Sequence, residues 1–425
     1  MSTAEPETQA SRGSLTRSTS PACKATWPRS LPPTSTRSET LTWWAQPPPP
    51  RLSVLTAQID YIERDTRTRT TAHRHPKRTI ETQPDPPWGL ARISHRNHPP
   101  PKAYAYSSTA GAAIRIYILD TGIRLTHSDF HRPSQPDDDS HQPEDDQPND
   151  DQPNDDQPNN DQPNDNQPNP DPPKSDKASP PKTKPKPQPR APPQTRAIWG
   201  TNFIPASPNH TDDNGHGTHV AATAAGTLHG VAKSALVVAV KVLDRDGAGS
   251  MSGLLRGLQW SVADARKRGV ARRSVVNMSV TGSYTKAVED GVRAAVEAGM
   301  TVVVAAGNSG GNATGWSPAS AGMAVTVGAI DEEDRRAEFS NWGGSVDVFA
   351  PGVKVVSASW EGDGETVSMS GTSMAAPHVA GLAAYFIARE GLEGRAVAKR
   401  VLGVATKGVR DRKGSADRIA YNGAA

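Results

Sequence analysis

Four short stretches of the chain carry side chains able to do chemistry. Asp120 stands in Leu119-Asp-Thr-Gly122, directly after the strand-like run 114–119. Ligand sites of open parallel sheets form at the carboxyl ends of strands, although a plain turn aspartate reads the same way. His216 lies in Asp212-Asp-Asn-Gly-His-Gly-Thr-His-Val220, with a glycine on each side that lets its backbone pack closely and its ring face a cleft. His219 follows at i+3 and raises a metal reading. Two histidines are too few for zinc, however, and no glutamate lies between them; the other reading is an ordinary helix start. Asn308, in Ala305-Ala-Gly-Asn-Ser309, could donate to a developing oxyanion, or could simply make a Gly-Asn turn. Ser373, in Ser370-Gly-Thr-Ser-Met-Ala-Ala-Pro-His-Val-Ala-Gly381, opens an apolar run to residue 389. Its backbone N–H is one of the unpaired first-turn donors of a helix and can bind negative charge; the ordinary alternative is an N-cap serine. Pro377 is expected in that first turn, where a missing N–H is tolerated. A hydroxyl, an imidazole and a carboxylate in such settings form a nucleophile, a base and an orienting group.

Positioning these groups requires a scaffold, and the patterning supplies one. Residues 114–119, 235–242, 275–280, 301–306 and 323–329 read as strands. The run 235–242 is apolar almost throughout, as in a strand buried on both faces. Residues 254–268, 287–298 and 373–389 read as helices, the first two stopped by Gly269 and Gly299. This alternation predicts an α/β fold with a mostly parallel central sheet and helices on both faces.

Composition bounds the rest. The chain has 425 residues, a net charge of +3, 39 prolines, one cysteine (Cys23) and 34 % hydrophobic residues. No stretch approaches the roughly 20 apolar residues of a membrane span, and there is no global electrostatic case for nucleic acid. One cysteine excludes internal disulfides and cysteine-ligated zinc. Residues 1–50 form a Ser/Thr/Pro-rich stretch without the apolar h-region of a secretory signal and are expected to be a disordered tail. Residues 133–195 are built on a Gln-Pro-Asn-Asp-Asp unit, acidic first, then basic and proline-rich. This tract has no core-forming residues and is expected to be a disordered insert, a solvated linker or a weak tether. Lengthening a loop sevenfold costs only about 1.7 kcal/mol, so a domain survives it, and deleting the tract is expected to leave chemistry intact.

The motif text resembles the subtilase superfamily, and within it the proteinase K-like branch. The matching segments are 117–123, 214–221, 230–233, 240–244, 305–308, 317–320, 339–341 and 370–383; residues 87–94 resemble the start and 421–423 the end of mature enzymes of that branch. The chain order Asp, His, Ser is that of subtilisin. The resemblance implies a subtilisin-like three-layer fold over 84–425, interrupted by the insert, and a secreted serine endopeptidase with broad, apolar or aromatic preference. It implies Ser373 as nucleophile, His216 as general base, Asp120 as its orienter, and Asn308 with the Ser373 N–H as oxyanion hole.

By the same resemblance, substrate adds as a strand between Gly247, Ala248, Gly249 and Met251 on one side and Ser279, Val280, Thr281 and Gly282 on the other. Ala305, Ala306 and Gly307 line the primary specificity pocket, and Met251 and Leu254 a second one. Structural calcium is implied at Asp347 with the carbonyls of Gly322 and Ala324, completed by water. The expected partners are protein and peptide substrates and the chain's own propeptide as inhibitor, with a monomeric enzyme. Residues 51–83 resemble a propeptide end with its cleavage linker and no beginning, which points to a truncated precursor. Thr281 stands where the branch has glycine and Val220 where some relatives have cysteine. Asn209 and Asn312 match glycosylation acceptors of a secreted chain; Asn277 also matches, but in a strand expected to be buried. The opposing expectation, favoured by the truncated leader and the insert, is a non-catalytic or misfolded relative acting at most as a scaffold through the acidic tract.

Overall fold

The computed structural model describes residues 79–131, 195–205, 207 and 210–424. The expected tail, most of the propeptide remnant, the insert up to residue 194, and Asn209 lie outside the described residues.

In chain order the elements are β1 (Ile80–Pro84), α1 (Trp88–Ser94), β2 (Ala103–Ser107), β3 (Arg115–Asp120), β4 (Ala197–Asn202), α2 (His216–Ala225), β5 (Leu236–Lys241), α3 (Met251–Lys267) and β6 (Ser274–Met278). Then follow β7 (Gly282–Ser283), α4 (Lys286–Glu297), β8 (Thr301–Ala305), β9 (Trp316–Ser317), β10 (Val325–Ile330), β11 (Val348–Pro351), β12 (Val355–Ala358), β13 (Thr366–Met369), α5 (Thr372–Glu390) and α6 (Arg395–Val404). Seven strands make the central sheet in the order β11-β10-β8-β6-β3-β5-β4. Every neighbouring pair in it is parallel.

The continuous apolar strands of the sequence are explained by two cores, one on each face. In β3, Ile116 and Ile118 belong to one core and Tyr117 and Leu119 to the other; in β8, Val303 and Ala305 alternate in the same way with Val302 and Val304. Successive side chains of a strand point to opposite faces, so the strands of a sheet covered on both sides read as near-continuous apolar runs. Helices α2 and α5 pack on the first face, and α3 and α4 on the second.

The chain leaves β3 for one side of the sheet, forming β4 and β5, then crosses to the other side with β6. The end of β3 is therefore the topological switch point, where a crevice opens between oppositely directed connections. Asp120 is the last residue of that strand.

The position of the insert is also defined by its ends. His131 and Thr195 form an antiparallel bridge. Arg196, almost fully buried, donates to the carbonyls of Ala225, Ala235 and Asp129 and to Thr227 Oγ1. The two ends are thus stitched to the body, and the sequence between them closes a loop whose entropy cost grows only with the logarithm of its length. Residues 79–83, expected in the cleavage linker, run into or form β1, which pairs antiparallel with β2 from Ile80↔Ser107 to Pro84↔Ala103.

Candidate active site

Asp120 is fully buried at the switch point, and Oδ1 accepts from the Thr121 N–H at 2.8 Å and from His216 Nδ1 at 2.7 Å. An isolated carboxylate there would be costly; these bonds are its compensation. His216 is the first residue of α2, after Gly215 at φ 103. Asp212 sets that helix start. It is buried, and its carboxylate accepts from Thr121 Oγ1, from the Asn214 and Gly215 N–H groups, and from Thr218 through both N–H and hydroxyl. One side chain thus satisfies three N–H groups at and before the first helical turn and ties them to the end of β3. The fully buried Lys241 amine donates to the carbonyls of Thr121 and Leu243 and to Asp213 Oδ1, each within 2.7 Å, so the adjacent buried cation is paired.

Burial alone disfavours the imidazolium of His216. The Asp120 charge and hydrogen bond, with a further contribution from Asp212, outweigh it, and the pKa stands above the usual 6.5. His219 behaves in the opposite way. Burial pushes its pKa down to about 4, and Nε2 faces the Val355 carbonyl at 3.0 Å. It is a packed interior histidine, turned toward β12.

Ser373 is the second residue of α5. This corrects the expectation for Pro377. The helix begins at Thr372, so the proline lies beyond the first turn and removes the N–H that would pair with the Ser373 carbonyl. Ser279 takes its place, its hydroxyl donating to Ser373 O at 2.9 Å, while Ser373 Oγ donates back to Ser279 O at 3.2 Å. Ser373 and His216 line one cleft, yet no hydrogen bond joins them among the described residues; the Ser373 hydroxyl is bonded to Ser279 O instead.

Asn308 is held with equal care. Its Oδ1 accepts from the Thr372 N–H at 2.9 Å and the Thr372 hydroxyl at 2.8 Å. These two donors define the amide's orientation and leave its NH₂ free. A methyl built on Gly371 would lie 3.3 Å from Asn308 Nδ2 and 3.6 Å from the Ser373 nitrogen, so both donors border the same small space.

The cleft itself is about 410 Å³. Gly247, Ala248, Gly249, Met251 and Leu254 form one wall and Ser279, Val280 and Thr281 the other. Gly282, Ala305, Ala306 and Gly307 are not in its lining. Gly282 pairs with Ser317 in the β7–β9 ladder, and a methyl there would strike Met251 Cε at 1.9 Å. Ala305 and Ala306 are buried, and Thr281 Cγ2 lies 3.3 Å from where a Gly307 methyl would be. The threonine methyl therefore covers Gly307. The walls at 247–250 and 279–281 are irregular segments rather than sheet strands.

Asp347 is partly buried beside β10, with Oδ2 accepting from the Thr326 N–H at 2.9 Å. Burial raises its pKa above the usual 3.8 against the opposing effects of that bond and of Arg418. No ion pair meets this carboxylate among the described residues. Gly322 is exposed and Ala324 ends the turn into β10. A sheltered carboxylate without an ion pair has the donor chemistry of a hard cation's ligand. The described residues hold no cluster of three or more acidic, histidine or cysteine side chains, so water and carbonyls would have to complete the shell.

Sequence reasoning placed Asp120, His216, Ser373 and Asn308 but passed over the residues that orient them. Asp212 carried a usable signal, an aspartate just ahead of a glycine-flanked helix start. Thr372 and the carbonyl role of Ser279 carried none, since both act on partners remote in the chain.

Known proteins match this arrangement. A model of the subtilase family matches residues 191–416. "Subtilisin-like protease 3" of Pseudogymnoascus destructans is 41 % identical over 345 residues, covering 79 % of this chain and 69 % of that protein. The "cuticle-degrading serine protease" of Arthrobotrys oligospora is 38 % identical over 374 residues, 86 % of this chain and 73 % of that one. The crystal structure of a cold-adapted subtilisin-like serine proteinase superposes with a TM-score of 0.61 at 30 % identity, covering 80 % of this chain and 98 % of the other. With a buried Asp–His pair at the switch point of a parallel sheet, a serine at the head of the adjoining helix and these relatives across most of its length, the chain belongs to the subtilase family of subtilisin-like serine proteases.

Proposed function

We propose that the chain is a serine endopeptidase working through an acyl-enzyme. The observation that carries this reading is the Asp120 Oδ1–His216 Nδ1 contact of 2.7 Å beside a cleft that also holds Ser373. Ser373 Oγ turns from Ser279 O to His216 Nε2, gives up its proton there and attacks the scissile carbonyl. Asp120 keeps the Nδ1 proton in place and stabilises the imidazolium. Negative charge on the carbonyl oxygen is met by Asn308 Nδ2 and the Ser373 N–H, donors already oriented before the reaction and so costing no reorganisation. His216 then protonates the leaving nitrogen, and water repeats the sequence on the ester.

Substrate lies extended between 247–251 and 279–281, with main-chain bonds for affinity and side-chain pockets for selection. The walls near Met251, Leu254 and Val280 suit apolar or aromatic residues before the cut. The relative named as cuticle-degrading supports action on proteins outside the cell. We also place the enzyme in the proteinase K-like branch, as a secreted monomer inhibited by its own propeptide, with calcium held by Asp347 and the carbonyls of Gly322 and Ala324 as a structural ion.

The test is labelling of the expressed full chain with a serine-directed fluorophosphonate. Labelling that maps to Ser373 and vanishes in Ser373→Ala is the expected result. Soluble, folded protein that takes no label refutes the reading and leaves the non-catalytic alternative.

A further inference from the structure

Trp360 is the one exposed tryptophan among the described residues, at 37 %. It sits at the tip of the β12–β13 hairpin, and that tip is clamped rather than loose. The Arg124 guanidinium donates to the Trp360 carbonyl at 2.9 Å and to Asp363 Oδ1 at 2.6 Å, and Thr126 Oγ1 also donates to Asp363 Oδ1. The Ser128 N–H donates to the Asp363 carbonyl at 2.6 Å. The Arg124 N–H in turn bonds Thr218 Oγ1, in the first turn of α2. The clamp therefore joins the hairpin to the helix that begins with His216.

The indole lies directly on Gly215. A methyl built there would meet Trp360 Cδ1 at 2.2 Å and Nε1 at 2.8 Å. Its ring N–H meets no acceptor among the described residues. Trp360 is also absent from the walls of the cleft that runs between 247–251 and 279–281. The residue preceding the base is thus flanked by an aromatic side chain, carried on a clamped backbone, outside the acyl-side cleft.

Resting on the peptidase reading, we infer that Trp360 forms a subsite for the leaving half of the substrate, taking an apolar or aromatic side chain just after the scissile bond. His216 must hand its proton to the leaving nitrogen, so that residue emerges beside the imidazole and passes Gly215. A ring held in place before binding loses little freedom on contact, which is the property of an effective aromatic anchor. The subsite acts in both directions of the second step. In aminolysis, an incoming amine attacks the ester carbonyl, the Ser373 Oγ–C bond breaks, and a new amide forms. The amine proton passes through His216 to Ser373 Oγ.

Two measurements on the full chain test this. The first compares kcat/KM of an internally quenched peptide carrying phenylalanine after the cut with that of an N-blocked peptide p-nitroanilide, which has no residue there. Trp360→Ala is expected to lower the first about tenfold more than the second, a ratio worth about 1.4 kcal/mol. The loss should appear mainly in KM, and Trp360→Phe should restore it. Equal losses on both substrates, or none, overturn the subsite. The second needs no variant: the wild-type acyl-enzyme is partitioned between water and added phenylalanine amide or glycine amide. Transfer to phenylalanine amide is expected to exceed transfer to glycine amide about tenfold, and equal transfer overturns the subsite. Wild-type protein that turns over neither substrate refutes the peptidase reading, and the subsite with it.

Discussion

Asn308 offers the sharpest separation of catalysis from stability. Its oxygen and its nitrogen do different jobs: Oδ1 accepts two bonds from Thr372, and Nδ2 faces the space beside the Ser373 N–H. Asn308→Ala removes both. The Thr372 N–H and hydroxyl then lose their acceptor, at a cost of about 1–3 kcal/mol of stability. Loss of one oxyanion donor lowers kcat by about 10²–10³, or about 2.7–4.1 kcal/mol, with little change in KM. Asn308→Asp separates the two effects. A carboxylate accepts from Thr372 as well as the amide does, so stability should stay within about 0.5 kcal/mol of wild type. It offers no donor, however, and places negative charge where negative charge develops, so kcat should fall at least as far as in the alanine variant. The assays are urea unfolding monitored by tryptophan fluorescence and steady-state hydrolysis of a peptide p-nitroanilide. An aspartate variant with near wild-type kcat, or a loss confined to KM, refutes the assignment of Nδ2 to the oxyanion.

Further outcomes follow from the same geometry. Asp120→Asn should lower kcat about 10⁴-fold by losing the tautomer that presents Nε2 as base. Because the Asp120 charge raises the His216 pKa, and His216 must be neutral to act, the acidic limb of the wild-type kcat/KM profile should lie above pH 6.5, and residual activity in the variant should have its limb at lower pH. Ser279→Ala leaves the carbonyl freed by Pro377 without its donor; thermal unfolding should show a loss of about 1–3 kcal/mol, with a fall in kcat that Ser279→Thr partly restores. Thr281→Gly uncovers Gly307 and should raise kcat/KM for anilides with tryptophan before the cut relative to alanine, read from their ratio. Saturating calcium at about 100 Kd should stabilise the fold by about 2.7 kcal/mol and raise Tm by about 5–10 °C, an effect abolished in Asp347→Asn. Without calcium the raised Asp347 pKa means that the folded state holds more protons, so this group's contribution falls as pH rises above 3.8; bound calcium should remove that dependence.

Much of the scaffold was legible for a local reason. Strands β5 and β8 are apolar at all but one end position each, Lys241 and Thr301, because both faces of the sheet are covered, and α3, α4 and α5 carry the spacing and stop residues of helices. The hairpin β12–β13 and the ladder β1–β2 escaped notice because they are short and their pairing depends on partners elsewhere. The four candidate side chains stood out since each lies in a glycine-containing motif. Gly282 and residues 305–307, which the resemblance gives to a substrate edge and to the primary specificity pocket, are absent from the lining of the cleft; Gly282 packs on Met251 and Gly307 beside Asn341 and Thr281.

Sequence alone determined the fold class and the order of the motifs and singled out the candidate reactive groups, because periodicity and glycine placement are properties of consecutive residues. Tertiary structure decided how those groups are aimed. Asp212 holding the start of α2, Thr372 turning Asn308, Ser279 answering the carbonyl that Pro377 frees and Trp360 covering Gly215 are contacts between residues distant in the chain or bonds whose geometry the fold sets. Hydrogen bonds depend on distance and angle in space, and those exist only once the sheet has brought its strand ends to one edge.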